Sequence, residues 1–427
     1  MRGFLETRLT WLAALLLALC VVGYPVAGLI AATMDWPSRW ASVPFRAVVA
    51  LLALTVAVLM WRSQPLNRWS WLLGVWLALY SIRLSSNVLE GHPAAMHEIL
   101  FFCLAVVLPV LAFLKCNLRD IEPKVRTLII WLGTGILTIA IAGEYLGWFG
   151  ANSYTFSGRL STSTLNPITL GHVAASLLLA SVAWSAKNDY KKLLIALSLM
   201  SLSLVGMSYA GSRGPFVALI AALAVFLFAT PKGGGIALVH RVKIVSIMGL
   251  AIWLMWNPLP MNHLITQSSL QRGMSNDVVE SRLTKLEGLQ QDRLALSDEA
   301  SETRQKLLMS SLAAFLANPV FGVSNWTANE GQYPHNLALE AFQNLGIAGG
   351  SIFLLLLVVG SFRAWGRIRH GEYMVPLLFF QALVGGQFSG SLYAHAQLWT
   401  SLALLLGSSV ITGKQQTSEK MCQFDRK

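Results

Sequence analysis

The stretch Pro334–His370, PHNLALEAFQNLGIAGGSIFLLLLVVGSFRAWGRIRH, decides the fold class. From 337 to 362 it reads as one apolar segment, and about 20 residues of helix suffice to cross a hydrocarbon core of roughly 30 Å. It closes on a basic run, RAWGRIRH (363–370), and opens on Pro-His-Asn. A helical reading puts Asn336, Glu340, Gln343 and Asn344 at i, i+4, i+7 and i+8, a polar stripe down one face. Polar groups at membrane depth face a bundle interior or a water-filled cavity, and they are functional candidates by default.

Working outward, similar segments recur along the whole chain. Of 427 residues, 55% are hydrophobic and 12% charged, against about 25% charged in soluble domains. The expected fold is all-α and polytopic, with about 12 transmembrane helices near 10–31, 42–61, 69–88, 95–114, 127–149, 167–185, 193–210, 215–230, 243–258, 337–362, 373–391 and 396–412. Segments this long, without ten-residue alternation, favour helices over a barrel. The expected organisation is helices 1–9 over 1–258, a loop over 259–335, helices 10–12 over 336–413 and a tail over 414–427. The N-terminal apolar run is too long for a secretory signal and lacks a small-x-small cleavage site, so it reads as helix one. Cys20, Cys103, Cys116 and Cys422 fall in helices or on the cytoplasmic side, and none has metal-ligand spacing.

Charge orients the chain. With the N-terminus inside, the inner segments carry 21 of 32 Lys/Arg and 7 of 20 Asp/Glu. The excess concentrates in short loops such as KCNLRDIEPKVR (115–126) and KNDYKK (187–192), where the positive-inside rule applies. Both termini are therefore expected in the cytoplasm. The net charge of +12 is topogenic and calls for no nucleic acid.

One loop is long. Its 77 residues (259–335) show helical periodicity at Val279, Leu283, Leu286 and Leu294, then a second segment running from a Ser/Asp start to Asn318-Pro319. Two amphipathic helices on the outer membrane face are expected. Three outer arginines stand out. Arg159 lies in a Ser/Thr/Asn-rich segment, and Arg213 lies in Gly-Ser-Arg-Gly-Pro ahead of a helix. Arg304 shares a helix face with Leu307, Leu308, Ser311 and Phe315. Each either snorkels or pairs locally, or meets an anion; the fork of arginine suits phosphate, and a helix N-terminus adds a favourable dipole. His335 likewise has two readings: an interfacial histidine capping its helix, or a general base with an ordinary pKa of about 6.5.

The outer segments hold no paired Asp motif and no cluster with metal-ligand spacing, so neither metal nor cofactor is expected. There is no P-loop, dinucleotide fingerprint or Gly-x-Ser-x-Gly. Any chemistry should then use a pre-activated, lipid-borne donor at the outer face, with arginines on its phosphates.

Four motifs in order, SGRL…NPITLGH (157–172), GSRGP (211–215), SETRQKLL…NPVFGV (301–323) and PHNLALEAFQNLGIAGG (334–350), resemble the bacterial O-antigen ligase and polymerase superfamily. The resemblance covers about 157–350; the first half contributes only hydropathy and helix count. It implies a glycosyltransferase of the bacterial inner membrane with a periplasmic active site, closest to the O-antigen ligase. Such an enzyme moves O-antigen polysaccharide from undecaprenyl pyrophosphate to a sugar hydroxyl of the lipid A–core oligosaccharide, with inversion and without metal or ATP. By motif match His335 is the catalytic base, Arg159, Arg213 and Arg304 hold the pyrophosphate or glycan, and Asn336 and Glu340 support them. The alternatives are an O-antigen polymerase, a protein O-oligosaccharyltransferase and, from another class, a lipid or polysaccharide transporter. The residues eleven after Arg159, Arg213, Arg282, Arg293 and Arg304 are Leu170, Ala224, Arg293, Arg304 and Phe315, so the Arg-x10-Gly pattern associated with polymerases is absent. No large outer domain suits a protein acceptor, and the polar residues cluster at one face instead of midway through symmetric halves.

Overall fold

The computed structural model describes residues 2–60, 66–92, 94–146, 148, 165–185, 190–230, 238–257, 293–326 and 332–408. Arg159, Cys422, the 414–427 tail and most of the first expected loop helix lie outside them.

The described chain is helical: α1 (Arg2–Ala18), α2 (Tyr24–Thr33), α3 (Ser38–Met60), α4 (Arg68–Leu89), α5 (Ala95–Phe102), α6 (Leu108–Phe113), α7 (Leu118–Tyr145), α8 (Pro167–Trp184), α9 (Tyr190–Ala210), α10 (Arg213–Ala229), α11 (Leu238–Trp256), α12 (Arg293–Ala317), α13 (Leu337–Arg369), α14 (Met374–Gly385) and α15 (Ala396–Gly407). Two apparent helix pairs are single spans. A π-turn at Leu19–Gly23 joins α1 to α2 just before Pro25, and another at Cys103–Val107 joins α5 to α6 just before Pro109. Proline removes one rung donor, and the wider turn absorbs the mismatch without breaking the rod.

Among the described residues eight helical spans are long and apolar enough to cross a membrane, and α10, α14 and α15 are shorter apolar helices. A helix overlies each of the twelve segments expected from hydropathy, although the number that cross goes beyond what length and composition establish. The outside of the bundle is apolar: Leu51, Ile82, Trp131 and Phe362 are each at least 66% exposed. The inside carries polar side chains that satisfy one another. Gln381 accepts from Ser176 and Gln397 and donates to the His172 carbonyl. This inversion of the soluble pattern follows from a hydrocarbon solvent.

α13 is not one straight rod. Gly346 (φ 64°, ψ −165°) breaks it, a conformation essentially restricted to glycine. The turn after α12 fills the break: the Ile347 amide donates to the Pro319 carbonyl at 2.7 Å, and the Val323 amide to the Gln343 carbonyl at 2.5 Å. A Cβ at Gly346 would stand 2.1 Å from the Val320 oxygen, and one at Gly322 2.3 Å from the Gln343 oxygen. The NPVFGV and QNLG motifs are therefore two halves of one joint. Arg83 of α4 locks it, donating through Nε to the Asn344 carbonyl at 2.7 Å and through Nη2 to those of Phe321 and Gly322 at 2.6 and 3.3 Å. One and two turns earlier, Tyr80 binds Glu340 and Trp76 donates to the Gly349 carbonyl. One face of α4 thus holds both halves of α13.

The far end of α13 is a basic end. Glu372 bridges Arg119 and Arg367 at 2.9 and 2.8 Å, while Glu122 accepts from the Tyr373 and Met374 amides. Arg363 donates to the carbonyls of Leu405, Leu406 and Ser408, and Asn67 caps α4 while donating to Leu406.

Candidate active site

His335 stands at the opposite end of α13. It follows a buried Pro334, is half-buried itself, and takes φ 54°. Histidine is tolerated in the left-handed region better than most residues, yet the conformation still costs of order 1–3 kcal/mol. The turn delivers the chain to Asn336 in extended geometry, and the Asn336 Oδ1 accepts from the Leu339 amide at 2.9 Å. Asn336 is thus the helix cap, which settles the capping question: its neighbour His335 is not the cap. The imidazole meets Tyr333 edge-on with ring centroids 4.6 Å apart, and Nδ1 is buried without a hydrogen-bond partner among the described residues.

Two effects hold the His335 imidazole below its ordinary pKa. Burial is the larger, and the positive charge of Arg304 is the second. Arg304 therefore acts on His335 although its own side chain is exposed. α12 docks on α13 through Leu307, Ser311 and Phe315, the last with its ring 5.5 Å from that of Phe342. Arg304 lies one turn before Leu307 on that face. Of the face expected from spacing, Leu307, Ser311 and Phe315 turn toward protein while Leu308 and Arg304 are exposed.

The stripe below His335 was expected in the bundle interior or along a cavity. Glu340, Gln343 and Asn344 are all buried, and the first and last are tied to protein. Glu340 accepts from Tyr80 at 3.3 Å, Asn325 at 3.4 Å and the Leu392 amide at 3.0 Å. Asn344 donates to Asn325 and to the Glu340 carbonyl. Glu340 is a strut between three segments and supports the floor beneath His335. Nearby, burial first and the Glu340 charge second raise the Tyr333 phenol, so it stays a hydrogen-bond donor.

Arg213 opens α10, exposed, with its guanidinium 5.2 Å from the Trp256 ring centroid. Gly171 of the NPITLGH motif packs against Pro215 beside it, where a Cβ would be 2.8 Å away. The second and first motifs are thus neighbours; no contact joins Arg213 to His335 among the described residues. Arg159 lies outside them. Sequence reasoning passed over Arg83, Tyr80, Asn325 and Tyr333. A charge inside the third apolar run was a usable signal for Arg83; the others had none until α4 and α13 met.

Residues 195–354 match the family model described as O-antigen ligase. Over that segment the chain is similar to the O-antigen ligase family, which supports the resemblance to the O-antigen ligase and polymerase superfamily carried by the four motifs. The matched segment runs from α9 into α13 and takes in Arg213, Arg304, His335, Asn336 and Glu340, but neither Arg159 nor α4. Members of the O-antigen ligase family are glycosyltransferase-like enzymes acting on lipid-linked sugars. No curated protein matches the chain.

Proposed function

We propose that this chain is an O-antigen ligase of the bacterial inner membrane. It moves the polysaccharide from undecaprenyl pyrophosphate to a sugar hydroxyl of the lipid A–core oligosaccharide at the periplasmic face. The observation that carries this reading is His335 itself. A strained, half-buried imidazole, kept neutral by burial and by Arg304, stands at a rigid helix end beside an arginine.

Nδ1 faces the protein, so Nε2 is the nitrogen that meets the acceptor hydroxyl. Nε2 takes the hydroxyl proton as the oxygen bonds to the anomeric carbon. The bond from that carbon to the pyrophosphate oxygen breaks on the opposite side, its electron pair leaves with the pyrophosphate, and the centre inverts. Arg304, with Arg213 and Arg159, stabilises charge on the leaving group. A positioned base typically contributes about 10²–10⁴-fold, and proximity and leaving-group stabilisation supply the remainder.

Purified His335→Ala in proteoliposomes should fold and bind donor but transfer no glycan to core lipid; ordinary turnover would remove His335 from the base role. In cells, deleting the gene should abolish the whole lipopolysaccharide ladder and leave intact core. Core bearing a single repeat would mark a polymerase instead.

A further inference from the structure

A cavity of about 390 Å³ adjoins His335 without containing it. Its volume falls within the roughly 300–1,000 Å³ typical of small-molecule sites. The α1–α2 junction, α3, α5, the start of α8 and residues 389–397 supply the walls. Leu19, Val21, Phe45 and Leu104 contribute apolar lining, and His172, Ser391, Tyr393 and His395 contribute polar lining. Tyr333 belongs to the cavity lining and packs edge-on against His335.

Among the described residues Arg46 is the only lysine or arginine of this lining, and no aspartate or glutamate lines it. It lies within the apolar span Arg39–Met60, about 12 Å along α3 from Ser38 at 1.5 Å per residue. Its guanidinium is held between the rings of Phe101 and Tyr24, 4.3 and 5.7 Å from their centroids. No ion pair among the described residues involves it, and its Nε is buried without an acceptor. A cation in a membrane span is expensive unless it meets an opposite charge. Two ring faces offset part of that cost, but they accept none of the forked N–H donors, whose best partner is a phosphate. Exposed Tyr24 and Leu104 bring the cavity lining to the outer, apolar surface of the bundle.

We propose that this cavity binds an anionic, phosphate-bearing lipid, with the phosphate oxygens on Arg46 and the hydrocarbon chain leaving past Leu104. Burial raises the Tyr393 phenol to about 12, so its hydroxyl is available to donate to the same phosphate. The site stands on the cavity's own geometry; only the choice of a polyprenyl carrier over a bulk phospholipid rests on the transfer reading.

The test uses the full chain in phosphatidylcholine nanodiscs, with retained lipid measured against graded undecaprenyl phosphate or phosphatidylglycerol. Wild type should retain undecaprenyl phosphate preferentially. Arg46→Ala should weaken it at least tenfold, Arg46→Lys less, and Ala105→Trp should exclude it by filling the cavity with the charge intact. Should Arg46→Ala fail to fold, judged by thermal unfolding without probe, the lysine and tryptophan variants carry the test. Equal losses for phosphatidylglycerol support the anionic site and assign it to bulk lipid. His335→Ala should bind within twofold of wild type even where transfer is lost, which separates this site from the catalytic reading. Undiminished retention of both probes by the Arg46 and Ala105 variants overturns the proposal, as does an equal loss in His335→Ala.

Discussion

At the scale of single residues, His335 shows how burial and one neighbouring charge prepare a base. Both effects disfavour the imidazolium, so the neutral form persists below pH 6.5, the ordinary histidine value. The acidic limb of the transfer rate should therefore lie below pH 6.5. Arg304→Gln removes one of the two causes and should move that limb to higher pH, a shift read from kcat/KM against pH. The stability sign follows the same logic. The folded state binds fewer protons at this site than the unfolded chain, so its contribution is present above pH 6.5 and is lost as pH falls through the depressed value. His335→Ala should flatten that part of the stability profile.

At the scale of elements, the joint between α12, α13 and α4 positions the histidine. α13 needs glycine at the break because the Pro319–Val320 turn occupies the space of a side chain. Gly346→Ala combines a forbidden backbone conformation with a clash against backbone and should destabilise by about 3 kcal/mol or more, seen as a lowered unfolding temperature in detergent. Arg83 provides charge-assisted hydrogen bonds to three carbonyls of the joint, Asn344 in α13 and Phe321 and Gly322 in the turn after α12. Each such bond contributes about 1.5–3 kcal/mol, so Arg83→Ala should cost at least about 2 kcal/mol. Arg83→Lys should recover only part of it, since an ammonium cannot span the fork. Loss of transfer in step with stability would mark the joint as a support for His335 rather than a contact with substrate.

At the scale of the whole molecule, the bundle has two chemically different ends. Arg119, Arg363 and Arg367 gather with Glu372 and the C-terminus of α15 at one end. His335 and Arg304 mark the other. By the positive-inside rule the basic end belongs in the cytoplasm. A fluorescent protein fused after Lys427 should therefore fluoresce, and alkaline phosphatase inserted at Gly273 should be active; the reverse pattern would invert the assignment. On the proposed reading the same division would put the candidate site at headgroup depth, where a lipid phosphate and a water-borne hydroxyl can meet.

Much of this was legible in the chain alone. Length and apolarity dictate membrane-compatible helices because no other backbone arrangement hides its polar groups in hydrocarbon. The Pro-His-Asn junction and the end of α12 before Asn318-Pro319 follow from local backbone chemistry that needs no partner, whereas the sequence offered His335 as the cap and the structure gives that place to Asn336. The break at Gly346 did not show itself, because glycine in an apolar run is common in membrane helices and only the arrival of the Pro319–Gly322 turn makes it obligatory. Nor could the sequence separate Glu340 as a strut from Glu340 as a cavity wall, since both place it on the same helix face. Long-range pairing decided that difference. Tyr80 and Arg83 lie more than 200 residues before the helix they serve, Arg46 meets rings from two other helices, and the worth of all three depends on which acceptors, rings and open space the packed bundle brings beside them.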